Sequence, residues 1–125
     1  MVDAPDHVQL SAAADAGFLR VTAHGVFRLD RIIFMIEYMV AESARRGFGR
    51  ILVDVTALAG EPTLMDQFDI GEATAERLGP KRIAVLVSSE ALISDHFGDN
   101  VAAIFGGVVR SFTAEAEAVA WLLDG

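Results

Sequence analysis

The chain contains no cysteine, which excludes disulfides, thiolate nucleophiles and cysteine metal ligands. Basic residues are scarce: 10 Lys and Arg stand against 18 Asp and Glu, giving a formal net charge of −8. Phosphate backbones repel a domain of this charge, so we expect no nucleic-acid partner. Long apolar runs are also missing. The longest, 32–41, contains Glu37 and is far shorter than the roughly 20 residues that cross a bilayer, so we expect no membrane span.

What the chain does contain is the composition of a folded domain. Its 125 residues are 53% hydrophobic and 22% charged, and a chain of this length buries about two-thirds of its unfolded surface. We therefore expect one domain spanning 1–125. The start of the chain has neither the basic residues nor the apolar run of a signal peptide, which favours a cytoplasmic location.

Apolar periodicity predicts alternating strands and helices. Period-two patterns and apolar runs indicate strands at 7–12, 18–24, 51–55, 83–87 and 108–112. Helical patterns indicate helices at 29–46, 64–78, 94–105 and 114–123. The order β-β-α-β-α-β-α-β-α predicts an α/β fold: a mostly parallel sheet of about five strands with an antiparallel N-terminal hairpin, packed by four helices.

Helix boundaries follow from local signals. Gly47 ends the first helix and Gly79-Pro80 ends the second, while Thr63 and Asp66 have the spacing of a capping box. Ser94 or a residue just before it is expected to cap the third helix, and Thr113 the fourth. The buried stripe predicted for the second helix contains Leu64, Phe68, Gly71, Ala75 and Leu78.

The first helix has aromatic side chains on the face predicted to be polar. Helical geometry places Ile32, Ile36, Met39 and Val40 on the core face, with Ile33 and Ala44 beside them. Phe34 and Tyr38 fall on the opposite arc, with Met35 at its edge. Apolar groups on a polar face favour an interface, and a homodimer is its simplest form. The alternatives are cover by a neighbouring segment and a register shifted by one residue.

Thr63 is a candidate phosphoacceptor or anion site because a helix N-terminus stabilises phosphate. Ordinary helix capping explains the same residue. Asp54, at the predicted end of a buried strand, and Ser88 and Ser89, after the next strand, are expected at the carboxyl edge of the sheet, where α/β domains bind ligands. A loop-capping carboxylate and a polar loop are the simpler interpretations.

Residues for catalysis or metal binding do not cluster in the sequence. His7, His24 and His96 lie on different predicted elements and lack the spacing of a metal motif. The polar group Asp95-His96 with Asp99-Asn100 fits a solvated helix start as well as a site. The glycines match no dinucleotide or P-loop spacing, and no nucleophile, base and orienting group occur together. We therefore expect no metal, no cofactor and no enzymatic activity.

Three segments, 50–56, 82–86 and 109–122, together with the order of elements, resemble the STAS domains, specifically their stand-alone SpoIIAA-like branch. The resemblance covers the chain from about Val8. It implies a small sheet surrounded by helices that acts mainly by binding proteins, or in some members nucleotides or small ligands, rather than by catalysis. In the anti-sigma-factor antagonists of this family a Ser-Ser-Gly motif carries the phosphorylated Ser at the start of the second helix. That motif is missing here, and Thr63 has the one hydroxyl group near its position.

The residues and the resemblance together predict a non-enzymatic regulatory or protein-binding module. The alternative is a carrier of a small molecule or lipid, because the branch also resembles lipid-carrying CRAL-TRIO-type domains. Its apolar pocket would lie between the first helix and the sheet.

Overall fold

The computed structural model describes residues 9–15, 17–89 and 97–124, and within these ranges the chain forms five strands and four helices. The strands are β1 (Gln9–Asp15), β2 (Phe18–Val26), β3 (Arg50–Ala59), β4 (Arg82–Leu86) and β5 (Val108–Phe112). The helices are α1 (Leu29–Arg46), α2 (Leu64–Leu78), α3 (Phe97–Ile104) and α4 (Glu115–Leu123). The α/β class and the predicted order of elements are confirmed.

The sheet orders its strands as they occur in the sequence, β1-β2-β3-β4-β5. β1 pairs antiparallel with β2, as the predicted hairpin requires, and the other pairs are parallel. Successive right-handed crossovers between neighbouring strands place α1, α2 and α3 on one face of the sheet. α4 packs on the opposite face, where Ala118 and Leu122 join Phe18, Leu52 and Leu86 in a second apolar cluster.

Helix α1 has the predicted bounds but a different buried face. Gly47 adopts the left-handed conformation at φ 76°, and its amide donates to the Ser43 carbonyl, which ends the helix. The buried residues of α1 are Ile32, Met35, Ile36, Met39 and Ser43. Ala44 is exposed and Val40 only partly buried, because the buried stripe is rotated toward Met35 and Ser43.

Strand β3 extends well past the predicted end of its apolar run. β2 and β3 continue to pair up to Val26 and Ala59, beyond the last pairs that β3 makes with β4. The register shifts on the way, from Thr22 opposite Asp54 to His24 opposite Ala57, so that β3 carries one extra residue in a bulge. The prediction that Asp54 ends the strand is therefore wrong.

Helix α2 has the predicted bounds, yet its first turn is not part of the core. Gly71, Thr74, Ala75 and Leu78 are buried, whereas Leu64 is 62% exposed. The buried residues lie in the second half of the helix, and the first turn projects past that packed half. Placing Leu64 in the buried stripe is therefore wrong.

Helices α3 and α4 differ from the prediction at their first residues. Ser94 lies outside the described residues, and α3 ends at Ile104, two residues before Gly106 at φ 93°. Helix α4 begins at Glu115 with Ala114 in the capping position and no side-chain capping bond. The predicted Thr113 cap is therefore wrong. The acidic side chains Glu115 and Glu117 instead complement the positive end of the helix dipole.

Candidate functional site

An apolar cavity of about 190 Å3 lies between the helices α1 and α2 and the sheet. Its helical wall includes Ile32, Ile36 and Met39, and its sheet wall includes Val53, Val85 and Val109. These sheet residues point to the α1-α2-α3 face because side chains alternate along each strand. The cavity thus lies within the larger core cluster, in the place that the ligand-carrier alternative predicts.

The bulge in β3 extends the cavity wall toward the end of the strand. Val53 and Val55 line the cavity at alternate positions, but the next lining residue of β3 is Leu58. The extra residue in the bulge reverses the alternation, so an even-numbered side chain now faces the cavity. Phe27, Gly60 and Pro62 form the wall beyond this point.

Polar groups occupy a limited part of the cavity wall, and the best-defined pair joins α3 to β5. The Asp99 carboxylate accepts hydrogen bonds from the Ser111 hydroxyl and the Ser111 amide, both at 2.9 Å. The Thr74 hydroxyl donates to the Ile70 carbonyl at 2.7 Å, and Gln67 also contributes to the lining. The cavity therefore combines an extensive apolar surface with a carboxylate held in a fixed orientation.

Asp54 is on the opposite side of the sheet from this cavity. It alternates with Val53 and Val55, which line the cavity, and shares its side with Leu52 in the α4 cluster. Its carboxylate accepts from the Thr56 amide at 3.0 Å and from the Thr56 hydroxyl at 2.6 Å. Because Thr56 lies in the bulge, where the pairing register skips, Asp54 provides an acceptor for the amide group there.

Ser88 and Ser89 follow β4 and are exposed. Asp54 of β3 lies opposite Leu86 of β4 in the parallel sheet. Ser88 is therefore two residues further along its chain than the residue opposite Asp54. The Asp54 hydrogen bonds described above go to Thr56 of its own strand. A shared site of Asp54, Ser88 and Ser89 at this edge stays a prediction.

Thr63 forms the predicted capping box at the start of α2. Its hydroxyl accepts from the Asp66 amide, and the Asp66 carboxylate accepts from the Thr63 amide, both at 3.0 Å. Thr63 is exposed, and the next two side chains, Leu64 and Met65, are 62% and 68% exposed. We call these three residues the α2 tip. All three side chains are exposed to solvent at the start of α2.

The aromatic residues predicted on α1 separate in the structure. Phe34 is 51% exposed, with the Arg31 guanidinium 5.1 Å from its ring centroid. Tyr38 is partly buried against the core cluster, and Met35 is only 5% exposed within that cluster. Met35 therefore cannot extend a surface patch, because its side chain fills the interface between α1 and the sheet. An interface at Phe34 stays a prediction.

Among the described residues, the remaining sequence candidates form no second site. His24 is exposed near the end of β2, whereas His7, Asp95 and His96 lie outside the described residues. Within the described part of the chain, no group of three or more His, Cys, Asp or Glu side chains is placed to hold a metal ion. None of the helices in the described ranges is long and apolar enough to cross a bilayer.

Among the described residues, the charged groups with clearly shifted pKa values lie away from the cavity. Hydrogen bonds to Glu115 and Asp15 raise the pKa of Arg20, which ties β2 to α4. The Arg45 guanidinium lowers the pKa of Glu42, and Arg28 lowers the pKa of Asp30. None of these three groups lines the cavity, so they stabilise the surface of the fold rather than prepare a reaction.

The place of the pocket was expected only from the family resemblance, and the Asp99–Ser111 pair was not predicted from the sequence. Asp99 occurs in a polar helix start, and Ser111 occurs near the end of a short strand. Their contact depends on how α3 packs against β5, which neither local pattern contains. Gly71 was the one local signal, since a glycine in the buried stripe of a helix leaves space next to it.

Comparison with solved structures identifies the fold. A scan against protein-family models and a search of curated proteins by sequence both found no match. An anti-sigma factor antagonist from Mycobacterium paratuberculosis superposes with a TM-score of 0.67 at 18% identity, over 97% of this chain and 98% of the other. An uncharacterised protein with a SpoIIAA-like fold, from the DUF3478 family of Shewanella loihica, gives a TM-score of 0.55 at 21% identity, over 98% of both chains.

These similarities extend over almost the whole chain and agree with its mixed five-stranded sheet. The protein therefore has the same kind of α/β fold as these two structures. More narrowly, its fold is SpoIIAA-like, as the resemblance of its strands and last helix implies.

Proposed function

We propose that this protein is a non-enzymatic regulatory module that binds another protein. The observation that carries the proposal is the superposition of nearly the whole chain on an anti-sigma factor antagonist. The superposition covers 97% of this chain and 98% of the other, with a TM-score of 0.67. An antagonist of this kind acts by contacting a protein partner, so the exposed surface of the fold is where binding is expected.

The α2 tip is the surface that we assign to this binding. Leu64 and Met65 expose apolar area that folding leaves unburied, and apolar surface of this kind is typical of protein contacts. Thr63 stands beside them with an exposed hydroxyl. A phosphate on Thr63 would place negative charge beside the Asp66 carboxylate and remove the capping bond, which would disturb the same surface.

Calorimetric titration against the anti-sigma factors of the source organism tests the proposal. We expect Leu64→Asp with Met65→Asp to weaken binding at least tenfold while the protein stays folded by circular dichroism. Ile104→Asp is the matched control, because Ile104 is also an exposed apolar residue near a helix end. Equal binding by the α2 tip variant would contradict the assignment of this surface, and no binding by the wild-type protein would contradict the function.

Self-association through α1 is a further part of the proposal. Phe34 exposes half of its side chain on a helix whose other aromatic, Tyr38, packs into the core. A symmetric dimer would bring Phe34 against the same face of a second copy. Tyr38 packs against the core, so changing it as well would risk unfolding the protein. The single variant Phe34→Asp therefore changes the proposed interface without changing the core.

A second candidate function is the binding of a small apolar molecule or lipid. The observation that favours it is the cavity of about 190 Å3 between α1, α2 and the sheet. Native mass spectrometry of protein purified from its host tests this candidate. A bound adduct that disappears on denaturation is the expected result, and consistently adduct-free protein would contradict it.

A further inference from the structure

The exposed apolar surface of the α2 tip continues toward the end of α3. Phe68 lies four residues after Leu64 and three after Met65, so helical spacing places its side chain beside each of theirs. The rings of Phe68 and Phe105 meet edge to face, with centroids 6.0 Å apart and an interplanar angle of 88°. Phe105 is itself 45% exposed. We call Leu64, Met65, Phe68 and Phe105 the α2–α3 patch.

Three carboxylates border this patch along α2. Asp69, Glu72 and Glu76 follow Met65 at intervals of four, three and four residues, which places all four side chains along one side of the helix. Glu76 is exposed, and Asp69 and Glu72 are partly exposed. None of the three carboxylates forms an ion pair or a side-chain hydrogen bond with the described residues. The apolar patch therefore has negative charge at its border that the described part of the chain does not neutralise.

The carboxylates of α1 are arranged differently. Each of them forms an ion pair with an arginine, as Glu37 does with Arg77 of α2 and Glu42 with Arg45. Like charges three or four residues apart destabilise a helix, and the carboxylates on α2 have this spacing without a neutralising arginine. A partner that supplies positive charge would relieve the repulsion and gain attraction at the same time.

We propose that the α2–α3 patch binds an amphipathic helix of the partner protein. Its apolar side chains contact the patch, and its Lys or Arg side chains face Asp69, Glu72 and Glu76. The row from Met65 to Glu76 is roughly 16 Å long, about three turns, which suits a helix lying alongside α2. This inference rests on the proposed binding of a protein at the α2 tip and specifies the chemistry of the segment that binds. An anionic membrane surface is disfavoured, because the same carboxylates repel it.

Three peptide probes separate charge from apolar contact in calorimetric titrations of the full chain. The first is an amphipathic peptide of about 14 residues with leucine on one helical face and lysine on the other. The second has glutamate in place of every lysine, and the third has serine in place of every leucine. We expect the leucine–lysine peptide to bind at least tenfold more tightly than either of the others, because it alone combines both kinds of contact. Equal binding of the leucine–lysine and leucine–glutamate peptides would overturn the proposal.

Salt dependence tests the electrostatic part of the contact. Raising the ionic strength from about 0.1 M to about 1 M shortens the Debye length from about 10 Å to about 3 Å. We expect this change to weaken binding of the leucine–lysine peptide at least threefold. Binding that stays constant or strengthens with salt would show that apolar contact alone holds the peptide, which would overturn the role of the carboxylates.

Two pairs of substitutions locate the charge. Glu72→Gln with Glu76→Gln removes two carboxylates beside the patch and is expected to weaken binding of the leucine–lysine peptide at least threefold. Glu117→Gln with Asp124→Asn is the matched control, because it removes two exposed carboxylates from the end residues of the α4 region, on the opposite face of the sheet. Both variants have the same net charge and should remain folded by circular dichroism. Equal weakening in both would indicate a general attraction to an acidic protein and would overturn the proposal.

Amide chemical shifts of the wild-type protein give a readout that does not depend on any variant folding. The leucine–lysine peptide should shift the amides of Phe68, Glu72 and Phe105 and leave those of Ala118 and Leu122 on α4 unchanged. The reverse pattern would overturn the assignment. Binding to vesicles of equal parts phosphatidylcholine and phosphatidylglycerol, without binding to the peptide, would identify a membrane surface instead of a basic helix.

Titration of the partner separates this inference from the proposed function. We expect Glu72→Gln with Glu76→Gln to bind the anti-sigma factor that the wild-type protein recognises at least threefold more weakly. Unchanged binding by this variant would overturn the basic helix and leave the protein-binding function intact. If the wild-type protein binds no anti-sigma factor, the proposed function fails, and the peptide titrations still decide whether the patch selects a basic amphipathic helix.

Discussion

At Gly107 the chain entering β5 passes close to α2 and α3, so an added methyl group would make tight contacts with both helices. A Cβ atom there would lie 3.1 Å from the Ala102 carbonyl oxygen and 3.2 Å from the Ala75 Cβ. We expect Gly107→Ala to lower the free energy of unfolding by about 1–3 kcal/mol, the usual cost of overpacking. Urea unfolding measures this loss. Gly49→Ala is the control, because a Cβ there meets no atom within 4 Å, and an equal loss in both variants would contradict the steric explanation.

Thr63 contributes to stability through its hydroxyl, whatever its role in binding. Thr63→Ala removes the bond from the Asp66 amide and is expected to cost about 1 kcal/mol of unfolding free energy. Thr63→Ser retains the oxygen atom and should cost less than half as much. Thermal and urea unfolding of the three proteins provide the measurement. Equal stability of Thr63→Ala and the wild type would show that the capping box is not formed in solution.

At the scale of whole elements, Arg82 attaches the end of α4 to the sheet. Its Nε and Nη2 donate to the Trp121 carbonyl at 3.0 and 2.8 Å, and its guanidinium carbon lies 3.9 Å from the indole centroid. We expect Arg82→Met to cost about 1–3 kcal/mol, because charged hydrogen bonds and a cation–π contact are both lost. The fluorescence of Trp121, the single tryptophan, reports the change directly.

Arg50 provides the matched control for Arg82. The two arginines are paired in the register of β3 and β4, but Arg50 makes one longer bond, 3.3 Å, to the Leu123 carbonyl. Arg50→Met should therefore cost clearly less than Arg82→Met and leave the tryptophan emission unchanged. If the two substitutions cost the same, the stacking on Trp121 does not hold the helix.

The ends of some elements could be predicted from the sequence because they have local causes. Gly47 and the Thr63–Asp66 capping box act within one turn, and the bounds of α1 and α2 are as predicted. The end of β3 is not local, since it depends on continued pairing with β2 across a bulge. The buried face of α1 was misplaced because a polar residue, Ser43, is fully buried where it donates to the Val40 carbonyl.

At the scale of the whole molecule, the topology was predictable from the sequence pattern, whereas a pocket was expected only from the family resemblance. Strand and helix alternation restricts the sheet to a few arrangements, and the observed order follows the simplest of them. The cavity instead results from the volume left when α1 and α2 pack over a bulged strand, which depends on all three elements together. Asp99 and Ser111 meet across this packing, so their pairing follows from the assembled fold.

Formation of a homodimer through α1 is the prediction that concerns the whole molecule. Phe34 is 51% exposed, and Phe105, on the other side of the helical layer, is 45% exposed. If α1 is the dimer interface, Phe34→Asp should yield monomers in light scattering coupled to size exclusion, and Phe105→Asp should leave the dimer intact. Because each copy has a formal net charge of −8, added salt should screen the repulsion and strengthen association. A wild-type protein that remains monomeric at every concentration and salt level would rule out the dimer.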